Sequence, residues 1–356
     1  MILYQAFCFI AVISLVVIVH EFGHYIIARA CGVKVVEFAM GFGYKLFSVK
    51  DSHGTDWQLR LWPLGGYVKM HGDENPASMN AVDLAKIDKN DSQAFYNKNL
   101  KQKFAIVVAG PAFNYILAIF LYAFVACFNG VSISPNVVGN VLLDGSAYTA
   151  GLRIGDEIFE INGRKVNSFG RIGQEIMLSV NPEIQMNIIR NNKIISLNIK
   201  NKVDATTGKK SKTIGISGVK TEIQTKSFLD GIKYGISESY NISAISLRAL
   251  KQIITGHRSP RELGGPIKIA TSSASATQMG IVGIILFSAF ISVNLGLMNL
   301  LPIPLLDGGH LFFYMVEGLV GRPIPQFIYK ILLYIGMAIL GGLMAFTLIN
   351  DLIGIF

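Results

Sequence analysis

The sequence predicts a polytopic α-helical membrane protein with four transmembrane helices, a cytoplasmic membrane-associated β-hairpin and one small, mainly β domain. Of its 356 residues, 51% are hydrophobic and only 15% are charged, whereas soluble domains carry about 25% charged residues. Four apolar segments are each long enough to cross the ~30 Å hydrocarbon core of a bilayer. They lie at about 3–28, 104–127, 279–300 and 328–349. Between the second and third segments, short β-type runs alternate with Gly, Asn and Asp turns.

The remaining composition excludes several classes of protein. A formal net charge of +9 does not indicate a nucleic-acid partner, because no basic cluster is interleaved with aromatic residues. Cys8, Cys31 and Cys127 lie far apart in or beside apolar runs, which predicts buried thiols without disulfides. The first segment has no basic n-region and no small-residue cleavage site, so we expect a retained helix and not a signal peptide.

The first apolar segment contains the run VIVHEFGHYII, with His20, Glu21 and His24. Residues four apart lie on one face of a helix, so the two imidazoles can bind one zinc ion. Glu21 can then accept a proton from a water that the zinc polarises. The alternative is a pair of core histidines with a glutamate reaching the surface. Because lipid penalises all three groups, we predict a functional zinc site.

A catalytic zinc usually has three protein ligands, so the third must come from another segment. Pro302 and Pro304 end the third apolar segment and force an extended turn. Asp307 follows at the depth expected for the histidine pair, and we predict that it completes a site for one Zn²⁺ per chain. His310 is the rival ligand; its alternative role is to support the site or an interface.

Two amides precede the proline break on the same segment, Asn294 and Asn299. Each can act as a helix-packing amide. Asn299 can instead donate a hydrogen bond to a substrate carbonyl or to the oxyanion formed on attack. Both are predicted as candidate substrate-binding residues.

Residues 54–70 alternate polar and apolar side chains and carry Gly65 and Gly66 at a bend, which predicts a β-hairpin or ribbon near the membrane. Residues 71–100 are polar and predict a flexible loop. Lys and Arg flank the connections at 29–103 and 301–327, which places these connections in the cytoplasm. The metal site is then near the cytoplasmic side, and the insert at 128–278 and both termini face outward.

The run VVGNVLLDGSAYTAGLRIGDEIFEINGRKV resembles a bacterial, circularly permuted PDZ domain. The turn positions of such domains fall on Gly145, Gly151, Gly155, Asp156, Asn162 and Gly163. Residues 228–254 space apolar side chains three or four apart, which predicts an amphipathic helix on the membrane surface or against the PDZ domain. The predicted order is 1–127 with two spans and the hairpin, 128–222 as the extracytoplasmic PDZ domain, 223–278 as surface helix and linker, and 279–356 with two spans.

Together these features resemble the site-2 protease family, in its bacterial regulator-of-sigma-E protease branch. The matching runs follow one another in the family's order along nearly the whole chain. They are HEFGH at 20–24, Gly110-Pro111 with Asn114, the PDZ turns, LGGPI at 263–267 and NLLPIPLLDG at 299–308.

The resemblance implies an intramembrane zinc metalloendopeptidase of the bacterial inner membrane, with its PDZ domain in the periplasm. Its substrates would be single-pass membrane proteins, such as an anti-sigma factor or remnant signal peptides. Glu21 would be the general base, Asn299 would help hold substrate, and the ribbon at Gly65, Gly66 and Tyr67 would pair with the substrate strand. The PDZ region would filter substrates by bulk, although well-studied enterobacterial relatives carry two such domains in tandem and this chain has room for one.

Two other functions start from the same residues. A catalytically inactive, membrane-tethered PDZ adaptor would need neither the glutamate beside the histidine pair nor the acid at the proline break. A metal transporter would show repeated halves with ligands at the midplane, and the sequence shows no such repeat. Since one chain supplies every candidate site residue, we expect the protease to act as a monomer.

Overall fold

The computed structural model describes residues 2–73, 91–200, 214–219, 221–322 and 324–354. The chain divides into two compact units. The first comprises Met1–Val125, Leu229–Ser243 and Arg261–Phe356, and the second comprises Ala126–Phe228 and Ala244–Pro260.

In chain order, the helices are α1 (Ile2–Ala30), α2 (Leu100–Phe128), α3 (Ser146–Thr149), α4 (Phe169–Leu178), α5 (Phe228–Ile254), α6 (Pro266–Gln278), α7 (Gly280–Asn299), α8 (Asp307–Val320) and α9 (Gln326–Ile353). The strands are β1 (Val35–Lys50), β2 (Asp56–Met70), β3 (Val131–Ile133), β4 (Val138–Val141), β5 (Glu157–Ile161), β6 (Arg164–Lys165), β7 (Glu183–Arg190), β8 (Lys193–Lys200), β9 (Ile216–Gly218) and β10 (Glu222–Gln224). Short 3₁₀ turns occupy Phe95–Asn97 and Pro260–Glu262.

Four helices of the described chain are long and apolar enough to cross a membrane: α1, α2, α7 and α9. Their candidate spans are Leu3–Ala30, Leu100–Phe128, Gly280–Asn299 and Phe327–Ile353, with mean hydropathy of 2.1 to 2.3. Large apolar side chains such as Phe7 and Phe120 lie exposed on these helices, as expected where lipid replaces water. The four predicted apolar segments are thus confirmed as helices long and apolar enough to cross a membrane.

Small residues bring α2 very close to its neighbours α1 and α7. A Cβ added to Gly23 would lie 2.4 Å from the carbonyl oxygen of Ala109, and one added to Gly296 would lie 3.1 Å from that of Pro111. Close backbone approach at glycine is typical of helix pairs in membranes. The contact at Gly23 sets the histidine-bearing part of α1 directly against α2.

The segment predicted as a linker before the third span contains α6. Its sequence is rich in Ser, Thr and Ala and has no hydrophobic period, so the pattern did not indicate a helix. Pro266 occupies the first turn, where a missing N–H costs nothing. The carboxylate of Asp351 accepts hydrogen bonds from the backbone N–H groups of Gly265, Ile267 and Lys268 at 3.0–3.2 Å and caps the helix.

The predicted hairpin within 54–70 is placed differently in the structure. Residues 56–70 form one strand, β2, which bends at Gly65 (φ +113°) and pairs antiparallel with the preceding strand β1. Residues 37–40 face both ends of β2, at 66–69 and at 56–59. In the part of the chain that is described, the opposite edge of 66–70 has no strand partner. Two glycines interrupt the alternation of β1, which hid this strand from sequence reasoning.

Most of the predicted flexible loop at 71–100, residues 74–90, lies outside the described residues. Its described ends are ordered. The N–H of Phe95 donates to the carbonyl of His71 at 2.7 Å, and His71 Nε2 lies 2.9 Å from Asp91 Oδ2. Phe95 is buried. These contacts join the two described ends of this segment to each other beside β2.

The second unit is built around an antiparallel sheet in the order β6-β5-β7-β8, with separate pairs β4–β9 and β3–β10. Its core is almost wholly aliphatic, including Ile158, Ile161, Ile172, Ile184, Met186, Ile188 and Ile199. Asn162 and Gly163 join β5 to β6 with φ of 49° and 77°, the left-handed pair that two-residue hairpin turns require. Gly151 and Gly155 also have positive φ, whereas Gly145 is extended and precedes α3.

Residues 228–254 form the predicted helix, α5. In the first unit its Gly235 packs on α2, where an added Cβ would lie 2.4 Å from the carbonyl oxygen of Ile119. In the second unit Arg248 donates to both carboxylate oxygens of Glu175 on α4 at 2.8 Å. Both halves of the helix thus make packing contacts with protein.

Candidate metal centre

The two histidines of α1 lie one turn apart on the same face, as their spacing predicts. Their Nε2 atoms are 3.3 Å apart, and their rings are nearly perpendicular, with an interplanar angle of 86°. His20 and His24 are both buried, with 7% and 8% of their surface exposed. Two nitrogens this close together can both bind one metal ion.

Asp307 reaches the histidine pair from the break between α7 and α8. Pro302 and Pro304 lie in this break, and Leu305 adopts a left-handed φ of +89°, a strained conformation for a non-glycine residue. Asp307 then begins α8, with its Oδ2 3.1 Å from His20 Nε2 and 3.5 Å from His24 Nε2.

The two glycines after the aspartate permit this path of the chain. A Cβ on Gly308 would lie 2.2 Å from the carbonyl oxygen of Leu301, and one on Gly309 would lie 2.4 Å from that of Ile303. No larger residue fits without moving backbone. The loop therefore folds tightly on itself and presents the Asp307 carboxylate to α1.

The Nδ1 atom of each histidine contacts a residue of α2. His24 Nδ1 lies 2.9 Å from the carbonyl oxygen of Ile106. A carbonyl can only accept, so Nδ1 carries the proton and the Nε2 lone pair faces Asp307. His20 Nδ1 lies 3.2 Å from the side-chain amide of Asn114.

These residues fit a zinc ion. Within the described chain, His20, His24 and Asp307 each offer one ligand atom, and these atoms lie within 4.8 Å of one another. Tetrahedral zinc with bonds of about 2.0–2.1 Å places its ligand atoms roughly 3.3 Å apart; the three observed separations are 3.1, 3.3 and 3.5 Å. Two imidazoles and one carboxylate are also a typical ligand set of catalytic zinc.

A cavity of about 260 Å³ opens beside the three ligand atoms. Glu21, Gly66, Tyr67 and Asn299 line it. The backbone of β2 reaches the glutamate here, because a Cβ added to Gly66 would lie 3.5 Å from Glu21 Cγ. A carboxylate, an amide and an unpaired strand edge thus surround the same space.

Tyr67 is held in place on the cavity wall. Its hydroxyl donates to Glu37 at 2.8 Å, and Arg60 lies 5.4 Å from its ring centroid. Burial and the Glu37 carboxylate raise the pKa of Tyr67 to about 12, so the phenol is neutral. The neighbouring Gly65 has φ of +113°, and a Cβ there would collide with the ring of Phe42.

The remaining predicted residues differ in their placement. Asn299 lines the cavity, whereas the Asn294 side chain donates to the carbonyl of Phe290 on its own helix at 2.9 Å. His310 also lines the cavity, and its Nδ1 lies 3.4 Å from the Tyr329 hydroxyl. Burial lowers the pKa of His310. Among the described residues, the three-atom ligand cluster does not include it.

Sequence reasoning missed the partners on α2. Asn114 matched the family pattern, but no role could be read from it. The Ile106 contact uses a backbone carbonyl, which no side chain reveals. Met70, Phe95 and Tyr314 also line the cavity, and only the folding of distant segments brings them there.

Comparison with known proteins agrees with this geometry. The family model described as peptidase family M50 matches residues 8–343. A protein of Rickettsia conorii named "Putative zinc metalloprotease" is 39% identical over 98% of each chain. Proteins with the same name in Agrobacterium fabrum and Campylobacter jejuni are each 35% identical; the matches cover 97% and 96% of this chain and 94% and 92% of theirs. The chain therefore belongs to peptidase family M50, a family of zinc-dependent peptidases.

Proposed function

We propose that the protein is an intramembrane zinc metalloendopeptidase that cuts transmembrane segments of single-pass membrane proteins. Its zinc ligands are His20, His24 and Asp307. The observation that carries the proposal is the convergence of their three ligand atoms at 3.1–3.5 Å beside Glu21, with both histidines on a helix apolar enough to span a bilayer.

The chemistry divides between the metal and the protein. Bound zinc supplies a Lewis acid that lowers the pKa of water towards about 7. Glu21 follows the first ligand and lines the same cavity, so its carboxylate can accept a proton from the attacking water and return it to the leaving amine. Asn299 can donate its amide hydrogen to the substrate carbonyl oxygen as negative charge develops there.

A transmembrane helix must unwind before it can be cut, and every freed backbone group then needs a partner. The edge of β2 at 66–70, which pairs with no other described strand, offers a row of such partners beside Glu21. A substrate strand added to this edge would lie extended next to the ligand atoms. Gly66 keeps this edge free of side-chain bulk, and the fixed ring of Tyr67 limits the space beside it.

We further propose that the protein resides in a bacterial inner membrane. The proposal is supported by the bacterial relatives and by the Lys and Arg that flank the 29–103 and 301–327 connections, which favour a cytoplasmic site. The second unit is then a single periplasmic PDZ domain, in keeping with its short antiparallel strands and turn residues. All candidate site residues come from one chain, which favours activity as a monomer.

Cleavage of a model transmembrane peptide by the purified full chain in detergent tests the proposal. We expect cleavage by the wild type, loss with a chelator and recovery with zinc. Glu21→Gln should retain one zinc and lose cleavage, while Glu183→Gln, an exposed change in the second unit, should behave as wild type. Turnover by Glu21→Gln would refute the general-base role. A wild type that binds zinc but cuts no transmembrane peptide would favour the adaptor function.

A further inference from the structure

Helix α2 presents three residues to the histidine pair, each four positions after the last. Ile106 offers its carbonyl to His24, and Asn114 offers its amide to His20. Gly110 lies between them, where an added Cβ would lie 2.3 Å from His24 Nε2 and 2.9 Å from His20 Cε1. Since residues four apart share a helical face, one face of α2 contacts both imidazoles.

The Asn114 amide has an unsatisfied oxygen. Its Nδ2 lies 3.2 Å from His20 Nδ1, while its buried Oδ1 has no hydrogen-bond partner among the described residues. A half-turn of an amide exchanges these two atoms and moves no other heavy atom. Oδ1 would then accept the hydrogen of His20 Nδ1, which satisfies the oxygen and leaves the Nε2 lone pair free.

Asn114 is held firmly in this position. Its side chain is fully buried, and the hydroxyl of Ser292 on α7 donates to its backbone carbonyl at 2.8 Å. Gly296, one turn further along α7, leaves room for it, because an added Cβ would lie 3.3 Å from Asn114 Cβ. A buried polar side chain fixed in this way can set the orientation of the ring beside it.

We propose that Asn114 is a positioning residue for the zinc ligand His20, whose Nδ1–H donates to Asn114 Oδ1. The inference rests on the proposed function, in which His20 binds zinc through Nε2. The two ligands are then held by different means: His24 by a backbone carbonyl that no substitution removes, and His20 by a side chain that can be replaced.

The test measures zinc affinity of the full chain in detergent by competition with a chromophoric chelator. Asn114→Leu keeps the size of the side chain but removes the acceptor, and we expect zinc to bind about 10–100-fold more weakly. Asn114→Asp keeps an acceptor and should stay within about threefold of wild type. A purely packing role predicts the opposite order, because leucine suits a buried helix better than aspartate.

Two further measurements complete the test. The absorption spectrum of the Co²⁺-loaded chain should change with Asn114→Leu and be restored with Asn114→Asp, since it reports ligand geometry. Ser288→Ala is the matched control, because this buried hydroxyl donates to the carbonyl of Ile284 on its own helix; it should leave zinc affinity unchanged. If Asn114→Leu fails to fold, Asn114→Ala serves with the same expected loss.

The outcomes separate this inference from the proposed function. Wild-type zinc affinity in Asn114→Leu would overturn the positioning role and leave the proposed function standing. Better zinc binding by the leucine variant than by the aspartate variant would assign Asn114 to packing. A wild-type chain without stoichiometric zinc would overturn both.

Discussion

Two carboxylates, buried Asp156 in the second unit and half-buried Asp307 in the first, have opposite surroundings. Asp156 in the second unit accepts hydrogen bonds from Nε and Nη2 of Arg190 at 2.6 and 2.7 Å and from the N–H of Arg153 at 2.7 Å. Asp307 in the first unit faces two imidazole nitrogens, and its Oδ2 finds no hydrogen-bond donor among the described residues. The first carboxylate is satisfied by protein alone, and the second is not.

The difference separates a structural charge from a functional one. A buried charge persists when it is paired and hydrogen-bonded or when it binds a metal. Asp156 meets the first condition, with a guanidinium that matches both its oxygens. Asp307 would meet the second in the proposed zinc site, because lone pairs of three groups converge on one point. The contrast predicts that changes around Asp307 affect metal and catalysis, whereas changes around Asp156 affect only stability.

The largest expected effect is that of Asp307→Ala. Removing one of three ligands should weaken zinc binding by more than the roughly 10–100-fold that loss of an outer partner costs, and cleavage should be lost with the metal. Elemental analysis of the purified chain measures the zinc. Unchanged zinc content would instead assign the third ligand to His310.

Gly110→Ala should have the second-largest effect, because it displaces the zinc ligands without removing any of them. The added Cβ would press on the ring of His24, and a displacement of about 1 Å at a reacting centre can cost roughly 100-fold in rate. Gly342→Ala on α9, where an added Cβ meets nothing within 4 Å, is the matched control. Equal cleavage rates for the two variants would contradict the close packing of α2 on the histidine pair.

Asp156→Ala tests the other side of the comparison. It leaves Arg190 without its partner and should destabilise the second unit by about 2–3 kcal/mol, less than for an enclosed pair because Arg190 keeps access to solvent. Hydrogen exchange in β5 and β7 of the full chain should accelerate. Zinc content should stay at the wild-type value; a loss of zinc would show that the two carboxylates are not independent.

The smallest effect concerns pH and the turn between β1 and β2. Burial acts to raise the pKa of Asp51, but hydrogen bonds from Trp57, Thr55, His53 and Tyr25 lower it from 3.8 to about 2. The carboxylate therefore stabilises the turn above pH 3.8, and this contribution is lost as the pH falls towards 2. Fluorescence of Trp57, whose Nε1 donates to Asp51 at 3.1 Å, should report the loss. Asp51→Asn should remove the pH dependence from this range; an unchanged profile would assign it to another group.

Sequence reasoning succeeded where the signal is local. Hydropathy alone located the four spans, and the spacing of His20 and His24 placed them on one helical face, as the structure shows. The sequence did not predict elements that are stabilised by contacts with residues distant in the chain. The Ser- and Ala-rich α6 is stabilised by packing and by Asp351, and β1 by its pairing with β2. Neither segment carries the periodicity from which an isolated element is recognised.

The candidate site was also only partly predictable from the sequence. Proline and glycine chemistry indicated that the chain breaks before Asp307, and the sequence favoured Asp307 as the third ligand but left His310 as a rival. That choice depends on where a tight loop with a strained Leu305 points its first helical residue. The partners on α2 were beyond reach, because Ile106 acts through its backbone.

X-ray absorption at the zinc edge of the purified full chain tests the central claim most directly. The account predicts one zinc per chain, with two imidazole nitrogens and one carboxylate oxygen at about 2.0–2.1 Å. Absence of zinc, or sulfur ligands at about 2.3 Å, would contradict it.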